Sequence, residues 1–223
     1  MSFRPRQLAL ALDHAESYAR EDFLSGSCNE SALALIDSWP DWPARAIALV
    51  GPGGSGKTHL ATIWAAAAGA RVVAARSLGE VDLPAALATG ALVIEDAAEI
   101  GDERALFHLI NLAREEAAFL LFTARTLPSI WPAAIPDVVS RLRALPVVTL
   151  QSPDDTMLRG IIVKLAGDRQ LPLDESVVRY LSTHIERSFA AARSAVIALD
   201  KEALRQGRAP SRALAAEMFR DTG

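Results

Sequence analysis

The chain has 223 residues, of which 51% are hydrophobic and 22% are charged, with a single cysteine, Cys28. A chain of this length and apolar content can bury a core without cross-links, and one cysteine excludes a disulfide framework or a cysteine-rich zinc site. The formal net charge of −4 excludes a bulk positive field for nucleic acid. No apolar run approaches the roughly 18 residues of a membrane span. The sequence therefore favours a globular protein of a reducing cytosol.

Five short apolar runs follow a helical pattern at 29–38 and are separated by helical patterns or turns. Because the runs are nearly continuous rather than alternating, they predict strands that are buried on both faces. They cover residues 46–50, 71–74, 91–94, 119–122 and 146–150. Strands that alternate with helices predict a parallel sheet covered by helices.

The pattern becomes entirely helical after residue 152. Ser152 is predicted to cap the first of these helices, with Pro153 at its first position. Helices are predicted at about 154–167, 174–185, 188–206 and 210–220. We therefore expect an extended N-terminal arm over 1–17, an α/β domain over 18–152 and a small helical domain over 153–223.

A phosphate-binding motif directly follows the first predicted strand. Residues 51–58 match the pattern Gly-x-x-x-x-Gly-Lys-Thr, and a helical stretch follows them. Glycines let backbone N–H groups converge on phosphates, and the helix N-terminus adds its positive dipole end. Lys57 is predicted to reach the β- and γ-phosphates, and the Thr58 hydroxyl to hold Mg²⁺. The residues predicted to bind the nucleotide here are Gly51, Pro52, Gly53, Gly54, Ser55, Gly56, Lys57, Thr58 and His59.

The third apolar run ends in two acids, Glu95 and Asp96. In a nucleotide site the first acid orders the Mg²⁺ shell, and the second polarises the attacking water in enzymes that hydrolyse. A strand ending in a solvated acidic turn is the alternative. The preceding phosphate loop favours the nucleotide-site interpretation.

Further segments resemble the DnaA-like clade of AAA+ ATPases over nearly the whole chain. Residues 121–125 stand where AAA+ ATPases carry sensor 1, and 135–142 resembles the DnaA stretch that ends in Ser-Arg and carries an arginine finger. Residues 186–189 open a helix where sensor 2 would lie. Residues 23–32 contain Phe-x-x-Gly-x-x-Asn-x-x-Ala, similar to the DnaA segment that packs around the adenine.

This resemblance implies a P-loop AAA+ fold, with a five-stranded parallel sheet, flanking helices and a small all-α lid. It implies ADP or ATP with Mg²⁺ as ligands, with Phe23 and Asn29 at the base. It also implies catalytic roles for Asp96 and for Arg141, the latter as a finger acting in trans on a neighbour's triphosphate. Arg187 would be sensor 2.

Alternatives stay open for both arginines. Arg141 lies four residues after Asp137 and could form a surface ion pair with it, and Arg143 is a rival finger. Arg187 could equally form a surface pair with a nearby acid.

Residues 7–12 are similar to the Gln-Leu-x-Leu-x-Leu sliding-clamp motif of the Hda-type family. In an extended segment Leu8, Leu10 and Leu12 share one face, and Gln7 can satisfy polar groups at the rim of a partner's pocket. The alternatives are an arm packed on its own domain and a homodimer contact. Because no helix-turn-helix pattern follows the predicted helical domain in residues 153–223, we expect an Hda-type protein rather than DnaA itself.

In the Hda-type family the ADP-bound protein, docked on the DNA-loaded clamp, stimulates DnaA to hydrolyse its ATP. The resemblance therefore implies the polymerase III sliding clamp and DnaA as partners, with DNA contacted mainly through the clamp and no membrane. Two departures, Glu95 for the usual Asp and Arg125 for a small polar sensor 1 residue, predict weak or absent ATPase activity of its own. The competing functions are a free-standing P-loop ATPase or small kinase and a DnaA-like accessory that binds DNA directly.

Overall fold

The computed structural model describes residues 18–219. Its first part contains a five-stranded sheet in the order β2-β3-β4-β1-β5, and every neighbouring pair is parallel. The strands are β1 (Ala46–Val50), β2 (Arg71–Ala74), β3 (Ala91–Glu95), β4 (Phe119–Ala124) and β5 (Val147–Thr149). Each coincides with one of the five apolar runs, so the predicted parallel sheet is confirmed.

Helices cover both faces of the sheet. They are α1 (Glu30–Asp37), α2 (Lys57–Ala68), α3 (Leu83–Ala86), α4 (Glu103–Glu115) and α5 (Pro136–Ala144), with short 3₁₀ turns at Arg20–Asp22, Ala75–Glu80 and Pro128–Ile130. Alternate residues of the central strands supply the two cores. Ile47 and Leu121 pack with α1 and α2, whereas Leu92 and Phe122 pack with α4 and α5.

The second part is the helical domain, with α6 (Asp155–Asp168), α7 (Glu175–His184), α8 (Phe189–Gln206) and α9 (Arg212–Met218). It has its own apolar cluster, built around fully buried residues such as Leu158, Leu181 and Leu199. Each helix begins after a side chain that accepts a backbone N–H bond three residues on. No helix of residues 18–219 has the length and apolar content that a bilayer crossing needs.

The predicted cap of α6 was wrong by two residues, whereas the predicted span of about 154–167 agrees with the helix to within one residue. The cap is Asp154 rather than Ser152: its carboxylate accepts the N–H of Met157 at 2.7 Å, and Pro153 precedes the helix. An ionised acceptor is favoured at the positive end of a helix, which explains why the acid takes the position.

Candidate phosphate-binding site

The loop at residues 51–58 joins β1 to α2 at the carboxyl edge of the sheet. Gly54 and Gly56 have φ angles of +68° and +95°, a conformation that side chains rarely permit. A β-carbon on Gly51 would lie 2.6 Å from the carbonyl oxygen of Leu150. Only glycine fits these positions of the loop backbone. The loop ends at the first turn of α2, whose backbone N–H groups have no hydrogen-bond partner within the helix and can bind an anion.

Lys57 is buried at the first position of α2. Its Nζ donates to the carbonyl oxygens of Gly51 and Pro52, each at 2.8 Å. An ammonium group has three N–H donors, so one is left for a phosphate. Burial lowers the pKa of Lys57, the positive charge of Arg125 lowers it further, and the two carboxylates that end β3 oppose both effects.

The oxygen groups around the loop fit Mg²⁺ bound together with a nucleotide. Oε1 of Glu95 is buried and accepts no hydrogen bond within residues 18–219, so it is free to accept one from a metal-bound water. Thr58 stands exposed in the first turn of α2. The described residues contain no group of three His, Cys, Asp or Glu that could hold a metal by itself. The ion would thus need the nucleotide's phosphates, as Mg²⁺ commonly does.

Asp96 is held in an exposed turn with φ of 49°. Its N–H donates to Oγ1 of Thr123 at 3.4 Å, and the N–H of Ala97 donates to the carbonyl oxygen of Thr123 at 2.8 Å. Thr123 is buried in β4 and fixes the acidic turn against the neighbouring strand. We did not predict this role for Thr123, although a hydroxyl inside the run Phe-Leu-Leu-Phe-Thr-Ala is a signal for it.

Arg125 follows β4 directly and lies against the phosphate loop. A β-carbon on Gly53 would be 3.7 Å from Cζ of Arg125. The position predicted as sensor 1 is therefore next to the loop, and it carries a cation.

Aromatic side chains pack beside the loop and the start of α2. Phe23 is buried, and a β-carbon on Gly56 would be 3.5 Å from its ring. The His59 ring meets Phe23 and Tyr18 edge-on, with centroid distances of 5.2 and 5.3 Å. Nε2 of His59 lies 3.1 Å from the carbonyl oxygen of Ala19. Two of the residues predicted to bind the nucleotide, Phe23 and His59, are thus brought together.

Asn29, which we predict to lie at the base of the nucleotide, forms two side-chain hydrogen bonds within the turn before α1. Its Oδ1 accepts the N–H of Gly26 at 2.9 Å, and its Nδ2 donates to the carbonyl oxygen of Leu24 at 3.0 Å. The side chain is fully buried in this turn. Asn29 therefore stabilises the segment that carries Phe23.

Arg187 forms the surface ion pair that we left as an alternative. Its guanidinium lies 2.8 Å from Oδ1 of Asp155, and both side chains are more than half exposed. The next residues, Ser188 and Phe189, contact the loop instead, and the N–H of Phe189 donates to the carbonyl oxygen of Gly54 at 2.9 Å. The structure thus places the start of α8 at the loop, with the Arg187 side chain directed to α6.

Arg193 is the α8 arginine that faces the aromatic residues beside the loop. Its Cζ lies 6.0 Å from the centre of the Tyr18 ring, and its charge lowers the pKa of His59. Sequence reasoning missed this residue, because the contact joins segments that are far apart along the chain.

Arg141 lies far from the loop of its own chain. With Arg45 and Pro146 it lines a cavity of about 410 Å³ beside the starts of β1 and β5. The loop follows the other end of β1, about 15 Å away by the length of that strand. The Nε of Arg141 lies 2.8 Å from Oδ2 of Asp137, which is the predicted alternative pair. Residues 7–12, with the predicted clamp motif, fall outside the described part of the chain.

Comparisons with known proteins show the fold. No protein-family model matches the sequence, and a search of curated proteins gives no significant match. Among solved structures, domain III of the replication initiation protein DnaA from Thermotoga maritima is 19% identical, with a TM-score of 0.77, over 92% of this chain and 96% of that one. DnaA from Aquifex aeolicus bound to AMPPCP is 20% identical, with a TM-score of 0.65, over 85% and 70%.

The RuvB Holliday junction branch migration motor of Thermotoga maritima is 17% identical, with a TM-score of 0.72, over 92% of this chain and 72% of that one. The chain therefore has the P-loop AAA+ fold that DnaA domain III and RuvB share, a five-stranded parallel sheet with flanking helices followed by a helical region.

Proposed function

We propose that this chain is a nucleotide-binding AAA+ regulator of the Hda type, which holds ADP or ATP and stimulates ATP hydrolysis by DnaA. The observation that supports nucleotide binding most directly is the loop at 51–58, with its two glycines at positive φ and the buried Lys57. The chain has the same fold as DnaA domain III, and this supports DnaA, a protein of the same architecture, as the partner. Such a protein would work in the bacterial cytoplasm beside the replication machinery.

The nucleotide would be held by groups already in place. Its phosphates would accept bonds from the N–H groups at the start of α2 and from Lys57. Mg²⁺, held by Thr58 and through water by Glu95, would neutralise part of the phosphate charge. Phe23 and His59 would flank the base side of the loop, where their rings already pack together.

Arg141 is the residue we assign to the action on DnaA. Because it lies at the opposite edge of the sheet from its own loop, it is available to a neighbouring protein's nucleotide. A cation beside a γ-phosphate stabilises the charge that develops during transfer, an effect of about 10³–10⁵ in rate. Its partly exposed pair with Asp137 is weak, so releasing Arg141 costs little.

The remaining parts of the proposal concern partners. Gln7, Leu8, Leu10 and Leu12 would dock the protein on the DNA-loaded sliding clamp. Contact with DNA would then be indirect, in keeping with the net charge of −4.

The deciding experiment measures hydrolysis of DnaA-bound ATP with and without DNA-loaded clamp. Wild-type protein should accelerate hydrolysis, Arg141→Ala should abolish the acceleration, and Arg143→Ala should retain it. Gln7→Ala combined with Leu10→Ala should lose only the clamp-dependent part. No acceleration by the wild type would refute the regulatory role, and loss with Arg143→Ala alone would reassign the finger.

The chain's own ATPase activity is expected to be weak or absent. Arg125 is a cation beside the loop and cannot accept a proton or orient a water as an acceptor. Purified protein that hydrolyses ATP at ordinary enzyme rates without DnaA would favour a free-standing ATPase instead.

A further inference from the structure

Arg125 lies beside the phosphate loop, and no residue between 18 and 219 neutralises its charge through an ion pair. Arg125 is exposed and forms no ion pair or hydrogen bond with any residue between 18 and 219. Its guanidinium carbon and nitrogens would lie 3.7 to 4.0 Å from a β-carbon on Gly53. A planar group with five N–H donors is thus placed alongside the loop backbone.

A second cation stands close by. Nζ of Lys57 donates to the carbonyl oxygens of Gly51 and Pro52, the two residues that precede Gly53, so both cations lie along the same short stretch of the loop. Like charges repel, so bringing these two groups together is unfavourable unless an anion lies between or beside them. The carboxylates of Glu95 and Asp96 supply part of that negative charge, but Oε1 of Glu95 accepts no hydrogen bond from Arg125 or from any other described residue.

The chemistry of Lys57 and Arg125 indicates that a phosphate group would bind between them. Lys57 reaches the terminal phosphates in loops of this kind. A guanidinium can give two parallel bonds to one phosphate, and such charge-assisted bonds are about twice as strong as neutral ones. Together the two cations could neutralise phosphate charge that Mg²⁺ neutralises in other P-loop sites.

We propose that Arg125 is a second phosphate-binding cation of this chain's own loop, and that with Lys57 it retains a nucleotide even when Mg²⁺ is absent. The inference rests on the nucleotide binding proposed above. It differs from the action on DnaA, because it concerns the chain's own ligand and needs no partner.

The test is calorimetric titration of ADP into the full chain, once in Mg²⁺ and once in EDTA. Wild-type protein should lose less than about tenfold in affinity when Mg²⁺ is removed. Arg125→Ala should bind ADP about 10- to 100-fold more weakly than wild type in EDTA, with a smaller difference in Mg²⁺. Arg125→Lys should restore part of the affinity, since it keeps the charge but not the planar fork.

Two controls separate this inference from the proposed function. Arg179→Ala removes an exposed arginine of α7 that pairs with Glu175, and it should behave as wild type in both buffers. Lys57→Ala should abolish binding in both. If wild type fails to bind ADP even in Mg²⁺, the proposed nucleotide site is wrong.

If wild-type protein binds ADP and Lys57→Ala does not, the proposed nucleotide site is supported. The role of Arg125 is then decided by the affinities of wild type and Arg125→Ala in EDTA. Equal affinities of wild type and Arg125→Ala in EDTA would overturn the inference. Complete loss of wild-type binding in EDTA would overturn it as well. Because Arg125 is exposed, its replacement should leave the thermal unfolding midpoint unchanged, which excludes misfolding as the cause.

Discussion

Phe189 donates its backbone N–H to the carbonyl oxygen of Gly54 at 2.9 Å, so the first turn of α8 is bonded to the phosphate loop. The preceding residue, Ser188, caps α8 by accepting the N–H of Ala191 at 3.0 Å and is itself buried. The helix start and the loop therefore share one small packed region. A change in loop conformation must be accompanied by movement of the helical domain or by the loss of this bond.

Gly54→Ala should disrupt the contact between the phosphate loop and the start of α8. Gly54 has φ of +68°, and a β-carbon there would lie 2.9 Å from Cβ of Ser188. Strained backbone of this kind costs about 1–3 kcal/mol. We expect a decrease of that size in the free energy of unfolding, together with weaker ADP binding, measured by chemical denaturation and by titration.

Gly160→Ala is the matched control. Gly160 lies within α6, and a β-carbon there would meet nothing within 4 Å. Alanine is the better helix former, so the free energy of unfolding should rise by about 0.5–1 kcal/mol. Equal destabilisation by the two substitutions would show that the contact with Ser188 is unimportant.

Asn29→Ala should destabilise the turn that precedes α1. The side chain is fully buried and satisfies the N–H of Gly26 and the carbonyl oxygen of Leu24. Leaving buried polar groups without partners costs about 1–3 kcal/mol. Denaturant unfolding should show this loss for Asn29→Ala and a much smaller one for Asn111→Ala on α4. A neutral effect at Asn29 would mean that water replaces both bonds.

The features that the sequence predicted well are local. A strand buried on both faces must be apolar at nearly every position, so β1 and β3 are visible as uninterrupted runs. The phosphate loop is similarly local, since its eight positions supply their own glycines, lysine and helix start. Their structural context could therefore be predicted without knowledge of distant contacts.

The features that were missed depend on pairs far apart in the chain. Arg187, which lies between α7 and α8, contacts Asp155 of α6, and Arg193 of α8 contacts Tyr18 at the start of the described residues. Nothing in the spacing around either arginine specifies those partners. The hydrogen bonds of Asn29 within the turn before α1 were likewise not predicted, because the family pattern gives the residue's position but not its contacts.

His59 should make stability depend on pH. Burial lowers its pKa from the usual 6.5, the bond to the carbonyl oxygen of Ala19 partly opposes this, and the charge of Arg193 adds to the lowering. Asp22 raises the pKa of His59 and Lys164 lowers it, both weakly. The unfolded chain therefore binds more protons than the folded one just below pH 6.5. The free energy of unfolding should consequently decrease as the pH falls through that range.

The measurement is denaturant unfolding at a series of pH values from 7.5 down to 5.5. Wild-type protein should lose stability across the series, and His59→Gln should reduce the loss, because glutamine keeps a donor for Ala19 but does not titrate. His108→Gln removes an exposed histidine of α4 and should leave the wild-type slope unchanged. A slope that is the same in all three proteins would show that protonation of His59 does not oppose folding.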